Sequence, residues 1–174
     1  MSSSADNFFQ FCPRCGRPYA GRHRPGVFAC SGCDFRFYQN SKPTASAFIL
    51  DSRGQVLLVR RAIEPKWGWW DTPGGFLEDG EHPLPGLRRE IREELGVGLR
   101  SVQLFGVHMD RYDHQGLWIH TLNFIYTAAL GRGNIRPQDD VASVGWFGRK
   151  QIPWRRLGFR WLRAKLHDLL PLLR

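Results

Sequence analysis

"PGGFLEDGEHPLPGLRREIREELGV", Pro73 to Val97, crowds Glu90, Glu93 and Glu94 into five residues of a chain whose formal net charge is +9. The stretch predicts a helix from about Pro83 or Pro85 to Leu95. Proline is tolerated in a first helical turn, and Gly96 is placed to take the left-handed conformation that stops a helix. At about 100° per residue, Glu93 lies near −60° and Glu94 near +40° from Glu90, so the three carboxylates share one face. Leu84, Leu87, Ile91 and Leu95 gather between roughly +60° and +140°, an apolar stripe that pins the helix to a core beside its acidic face. Like charges three and four residues apart oppose the helix by a few tenths of a kcal/mol each, and more where they are desolvated. A hard divalent cation offsets that cost, because Mg²⁺ and Mn²⁺ prefer oxygen ligands. The alternative is a solvated acidic face ion-paired with Arg88, Arg89 and Arg92.

The same stretch satisfies G-x5-E-x7-R-E-U-x-E-E-x-G-U, where U is aliphatic, with Gly75, Glu81, Arg89, Glu90, Ile91, Glu93, Glu94, Gly96 and Val97 each in place. It resembles the Nudix box at every position, and so many restricted positions over 23 residues set it apart from a lone short glycine motif. The resemblance implies a metal-dependent hydrolase of diphosphate linkages. It further implies that Glu93 and Glu94 are Mg²⁺ or Mn²⁺ ligands, that Glu90 is a ligand or a base, and that Glu81 and Arg89 orient the others. Arg89 and Glu93 are four residues apart, a spacing that suits a supporting ion pair. Gly74 and Gly75 allow close backbone approach, so a loop carbonyl there can complete the coordination. The chemistry fits: water attacks a phosphorus ringed by negative oxygens only if cations screen that charge. One local departure is "HPLPGL", whose two prolines and Gly86 are expected to shorten or loosen the first helical turn.

Outward from the box, "TASAFIL" (44 to 50), "QVLLVRR" (55 to 61), "SVQLFGVHM" (101 to 109), "LWIHTLNFIYTAAL" (117 to 130) and "ASVGWF" (142 to 147) read as strands. A second helix is expected over about Trp154 to Leu170, with Trp161, Leu162, Leu166, Leu169 and Leu170 on its apolar face and Arg155, Arg156, Arg160 and Arg163 on its charged one. Helices and strands of one sheet predict an α/β fold, and the resemblance specifies a Nudix α/β/α sandwich with a mixed sheet.

Ahead of it, Cys12-x2-Cys15 and Cys30-x2-Cys33 form two matched knuckles, the spacing of a tetrahedral four-cysteine zinc site. A redox dithiol pair is the competing reading, and His23 is expected to be a loop residue with four cysteines available. A small ribbon has too little core to fold alone, so zinc would be structural. The expected organisation is a zinc ribbon over residues 8–40 and a Nudix domain with a basic C-terminal helix over residues 41–174. That order is similar to zinc-ribbon Nudix hydrolases, NADH pyrophosphatases among them. The S-Q-P-W-P-F-P-x-S array of the NADH enzymes has no counterpart in "LFGVHMDRYDHQG", which argues against NADH as preferred substrate.

An ADP-ribose-like nucleotide, a nucleoside diphosphate linked to another moiety, is therefore the expected small-molecule substrate. "DRYDHQGLW" (110 to 118) reads either as a solvated hairpin loop or as a pocket lining in which Tyr112 or Trp118 stacks on a base and Arg111 meets a phosphate or ribose. Asp139 and Asp140 sit where related enzymes place an extra acid, which joins the metal cluster, acts as a base or meets substrate. Trp70 is expected in the core, with Trp67 and Trp69 as stackers or interface anchors.

The chain's ends are basic and its middle is nearly neutral. Basic ends fit nucleic acid or an acidic partner as well as they fit a solvated arginine-rich surface. A second function therefore stands beside the first: a Nudix protein that acts on or senses a 5′ cap-like diphosphate of RNA. A third, a regulatory domain that binds a nucleotide without cleaving it, is disfavoured by the intact glutamate set. The exposed tryptophans and the amphipathic tail suit a homodimer. No apolar run reaches the roughly 18 to 20 residues of a membrane span and no export signal is evident, so a cytoplasmic protein is expected.

Overall fold

Alternation along three strands decides which helix packs on which face of the sheet. In the computed structural model, which describes residues 9–18, 26–114 and 117–174, the central strands are β3 (Lys42–Leu50), β4 (Val56–Arg61) and β8 (Leu117–Leu130); the short β1 and β2 precede them. Ala45, Ala47, Ile49, Leu57, Val59, Tyr126 and Ala128 point to one side, where Leu87, Ile91 and Leu95 of helix α1 (Pro83–Leu95) meet them. Phe48, Val56, Leu58 and Ile125 point to the other, against Trp161, Leu162, Leu166 and Leu169 of helix α2 (Arg160–Leu169). Two-residue periodicity in the strands thus serves two separate helical stripes, the α/β/α sandwich expected.

The sheet has seven strands in the order β5-β4-β3-β8-β7, with β6 pairing β3 and β9 pairing β4. Here β5 is Trp70–Asp71, β6 is Gly74–Phe76, β7 is Leu99–His114 and β9 is Val141–Phe147. The β3–β4, β3–β6, β4–β5 and β4–β9 pairs are antiparallel. β6 matters most for the site, because its register sets Gly75 opposite Ala45 and Gly74 opposite Ser46.

The chain divides into two compact units, Met1–Lys42 with Arg111–His120 and Pro43–Asp110 with Thr121–Arg174. In the first, β1 (Val27–Ala29) pairs antiparallel with β2 (Arg36–Tyr38). Among its described residues, Phe9 packs against Phe28 and Phe37, at 5.0 and 5.1 Å between ring centroids, and Phe28 against Phe35. A two-stranded hairpin of three-residue strands needs a further constraint to stay folded.

Two expectations are corrected. The helix expected from Trp154 to Leu170 is broken: a 3₁₀ turn covers Trp154–Arg156 and α2 starts at Arg160. Between them Leu157 bridges to Trp70 and the Gly158 amide donates to the Trp70 carbonyl, which draws the chain into the sheet edge. Nor is the start of α1 loosened. It begins at Pro83 behind His82, whose Nδ1 accepts from the Leu84 amide, and Gly86 is buried because Leu77 and Glu81 pack against it. Among the described residues no helix is long and apolar enough to cross a membrane.

Candidate active site

Rotation of α1 is fixed by Leu87, Ile91 and Leu95, all fully buried, and its end by Gly96, which takes φ 67° and donates to the Arg92 carbonyl. The three glutamates therefore differ sharply in environment. Glu93 is exposed, Glu90 is mostly covered, and Glu94, next to the apolar stripe, is only 4% exposed.

Arg89 organises the outer part of this face. Its Nε and Nη2 grip both oxygens of Glu81 at 3.0 and 2.9 Å. Its Nη1 donates to Glu90 Oε1 and Glu93 Oε2, both at 2.8 Å, and Nη2 also reaches the Phe76 carbonyl. A planar guanidinium holds three carboxylates at once in a way that a lysine ammonium does not. The hydrogen bonds from Arg89, with one from the Glu78 amide, hold Glu81 down to about 2. Arg88 takes no part: its Nη1 donates to the Leu99 carbonyl.

Glu94 belongs to an inner cluster. Its Oε2 accepts a 2.8 Å hydrogen bond from the Gly74 amide. Burial raises its proton affinity well above the usual carboxylate range, Asp140 adds to that, the Gly74 amide opposes it, and Glu90 and Asp71 raise it again. Asp140 is likewise raised by burial, with Arg61 pulling it down, Asp139 pushing it up and a hydrogen bond with Glu94 pulling it down. Burial lifts Asp71 to about 6 against the opposing charge of Arg61, whose Nη1 lies 3.4 Å from Oδ2, and the Thr72 amide.

Four carboxylates that feel one another, with Arg61 and Arg89 as their cations, leave a surplus of buried negative charge that a divalent ion would match. The backbone leaves room for it: a Cβ on Gly75 would sit 2.6 Å from Glu90 Oε2. Nearby, the buried hydroxyls of Thr72, beside Asp71, and of Ser46, opposite Gly74, have no hydrogen-bond partner among the described residues, which suits water or a ligand oxygen. The donor set of Glu90, Glu93 and Glu94 with the backbone of Gly74 and Gly75 fits Mg²⁺ or Mn²⁺.

Asp140 thus lies beside Glu94, while Asp71 and Arg61 are members of the cluster that sequence reasoning missed. The available signal was position, since Asp71 directly precedes the turn into the box. Arg111, Tyr112 and Trp118 belong to the first unit, where the Arg111 guanidinium lies 4.3 Å above the Trp118 ring; Gln115 and Gly116 of that loop lie outside the described residues. Trp70 packs edge-on to Phe147 at 4.9 Å, in keeping with a core role. The apolar face of α2 is covered by the sheet, so of the features that suggested a second copy only exposed tryptophan remains.

In the first unit, Cys12, Cys15, Cys30 and Cys33 bring their sulfurs within 4.8 Å of one another. The Cys12–Cys33 and Cys15–Cys30 separations are 3.8 and 3.6 Å. The edge of a ZnS₄ tetrahedron with about 2.3 Å bonds is about 3.8 Å, so the cluster is positioned to form a zinc site. The Gly32 amide, donating to Cys30 Sγ at 3.3 Å, draws that thiol down to about 7. Against a Phe35 amide that lowers it, Cys33 is pushed up to about 12 by desolvation and by the other three cysteines. Sulfurs this close do not all ionise without a cation between them. His23 lies outside the described residues.

The chain belongs to the Nudix family: a sequence model of the NUDIX domain matches residues 40–170. Among curated relatives, it is similar to the NAD-capped RNA hydrolase NudC of Pseudomonas fluorescens, 30% identical over 145 residues, 83% of this chain and 50% of that protein. The protein of the same name from Pseudomonas entomophila is 31% identical over 144 residues, again 83% of this chain and 50% of the other. The chain thus spans about half the length of the curated relatives it matches. A NUDIX hydrolase crystal structure from Nitrosomonas europaea matches with a TM-score of 0.73 and 28% identity, covering 94% of this chain and 91% of that one.

Proposed function

We propose that the chain hydrolyses the diphosphate linkage of a nucleoside diphosphate joined to another moiety, with ADP-ribose-like compounds as the leading substrate class. The carrying observation is Glu94: a nearly buried carboxylate tied to the Gly74 amide, bordered by Glu90, Asp71 and Asp140. Structural ion-pair faces do not accumulate uncompensated buried acids, because each adds a desolvation cost.

In this reading Glu93, Glu94 and Glu90, with the backbone of Gly74 and Gly75, hold Mg²⁺ or Mn²⁺. Bound there, the ion screens the diphosphate oxygens and lowers the pKa of water at the site. Arg89 keeps Glu81, Glu90 and Glu93 in one orientation, so the acidic face does not reorganise as substrate arrives. Glu90 Oε1 is engaged by Arg89, which leaves Oε2 either to meet the cation or to take a proton from the attacking water. Asp140 backs Glu94 and completes the acidic wall. Cys12, Cys15, Cys30 and Cys33 hold a structural Zn²⁺ and take no part in the chemistry.

The experiment is a screen with Mg²⁺ or Mn²⁺ across ADP-ribose, dinucleotides, nucleotide sugars, coenzyme A and nucleoside triphosphates, with the phosphomonoester products separated by chromatography. Turnover of compounds with an internal diphosphate supports the reading, and turnover of triphosphates alone refutes it.

A second reading draws on the named activity of the curated relatives: the bond within an NAD cap of RNA is the same diphosphate. Arg155, Arg156, Arg160 and Arg163, all exposed, supply a cationic surface. Cap removal and RNA affinity that fall steeply with salt, and that weaken when these arginines are neutralised, would favour it.

A further inference from the structure

The chain has seven tryptophans, and six are accounted for by their surroundings. Trp161 is buried, Trp146 packs on the core, and Trp70 meets Phe147. Trp154 stacks on His167 at 4.4 Å, Trp69 lies beneath Lys66 Nζ at 5.1 Å, and Trp118 lies beneath Arg111. Trp67 is 65% exposed, and among the described residues its ring has no aromatic or cationic partner. A single exposed apolar side chain is ordinary on a protein surface. What sets this one apart is the loop that presents it.

Residues 62–69 join β4 to β5 and are bound at close intervals. The Arg61 amide donates to the Trp69 carbonyl and the Gly68 amide to the Arg61 carbonyl, both at 2.9 Å, and the Trp69 amide donates to the Lys66 carbonyl at 3.0 Å. The side chains of Arg60 and Arg61 add bonds to the carbonyls of Gly68 and Pro65 at 3.0 and 2.8 Å. The loop is also rooted in the carboxylate cluster. The Ala62 amide donates to the Asp140 carbonyl at 2.7 Å, and Arg61 reaches Asp71. Trp67 is four residues from Asp71, at most about 14 Å along the chain, near enough for one nucleoside diphosphate to touch both. Two exposed cations belong to the same segment, Arg60, tied to the Gly68 carbonyl, and Lys66, over the Trp69 ring.

A bare indole on a tied-down loop that also carries two exposed cations, within reach of a diphosphate-cleaving centre, matches one ligand chemistry, a planar base attached to an anionic tail. We propose that Trp67 is the stacking platform for the nucleobase of the substrate. The inference rests on the reading of the carboxylates as the catalytic centre, but it is tested by binding and so stands or falls separately.

The experiment is calorimetric titration of AMP, and of ribose 5-phosphate as the ring-free control, into the full chain in Mg²⁺ buffer, for the natural protein, Trp67→Ala and Trp67→Phe. Trp67→Ala is expected to weaken AMP binding about 10-fold or more, the effect of losing one base stack. Trp67→Phe should retain affinity within about threefold, since a smaller ring still stacks, and ribose 5-phosphate should bind all three alike. AMP affinity unchanged in Trp67→Ala, equal loss for AMP and ribose 5-phosphate, or no AMP binding by the natural protein would each overturn the platform. Failure of the natural protein to hydrolyse ADP-ribose would count against the catalytic reading instead.

Discussion

Glu94 Oε2 accepts a 2.8 Å hydrogen bond from the amide of Gly74, twenty residues earlier in the chain. The bond joins helix α1 to strand β6 at the point where the acidic cluster is most buried. It also makes the two adjacent glycines answer to different neighbours. Gly74 has φ 127°, and a Cβ there would lie 2.2 Å from the Ala45 carbonyl oxygen, whereas a Cβ on Gly75 would meet the Glu90 carboxylate.

Gly74→Ala is therefore expected to act on the fold, lowering stability by about 1–3 kcal/mol through backbone strain, read from urea unfolding. Gly75→Ala displaces a side chain instead. It should leave the urea midpoint near that of the natural protein while turnover drops about 10²-fold, the scale of a 1 Å misplacement of a catalytic group. Equal effects of the two substitutions on stability would refute the distinction.

Gly86→Ala tests the start of α1. Helix propensity alone favours alanine by about 1 kcal/mol, but the added Cβ would sit 2.4 Å from Leu77 Cδ2 and 2.7 Å from Glu81 Oε2. The expected outcome is no gain in melting temperature and a loss of turnover, as Glu81 shifts and Arg89 with it. A more stable, fully active variant would show that the clash is absorbed without consequence.

The buried acids give the protein without added Mg²⁺ or Mn²⁺ a stability maximum on the acid side of neutrality. Asp71, raised by burial from 3.8 to about 6, binds its proton more tightly folded than unfolded, so stability should rise as pH falls through 6 toward 3.8. Glu81, lowered to about 2 by Arg89, has the opposite sign: its contribution is full above the unfolded value of 4.5 and is lost as pH falls toward 2. Urea midpoints across this range should pass through a maximum at about pH 4 to 5, and Asp71→Asn should flatten the limb above it. A midpoint that falls steadily from pH 7.5 to 5 in both proteins would contradict this.

Purified protein should carry about one zinc per chain, and replacing Cys12 or Cys33 by serine should release it. Because the first unit's sheet is a single two-stranded hairpin beside the four cysteines, a strong chelator should unfold it while the second unit stays folded, as seen by amide exchange. A metal-free preparation with its cysteines paired as disulfides would refute the zinc site.

What was legible in the sequence was local. The helix of the box, its glycine stop, the two cysteine knuckles and the principal strands each follow from spacing within one segment. What was not legible depends on pairing between segments. Asp71 and Arg61 come together only because β5 lies antiparallel on β4, with Arg60 opposite Trp70, and β5 is too short to show any periodicity. The break before α2 arises because Trp70, far away in sequence, accepts the Gly158 amide. Gly86 read as a poor helix former because its neighbours Leu77 and Glu81 arrive from outside the helix.

The central claim is that the carboxylates of α1 form a cation site for catalysis and are not a decorated surface. It is tested most directly by the Mg²⁺-dependent turnover of ADP-ribose by Glu94→Gln, which removes one charge and keeps the shape. The account predicts a fall in kcat of about 10²- to 10⁴-fold, equivalent to roughly 3 to 5 kcal/mol of transition-state stabilisation, with far-UV circular dichroism unchanged. Full Mg²⁺-dependent turnover by Glu94→Gln would contradict it.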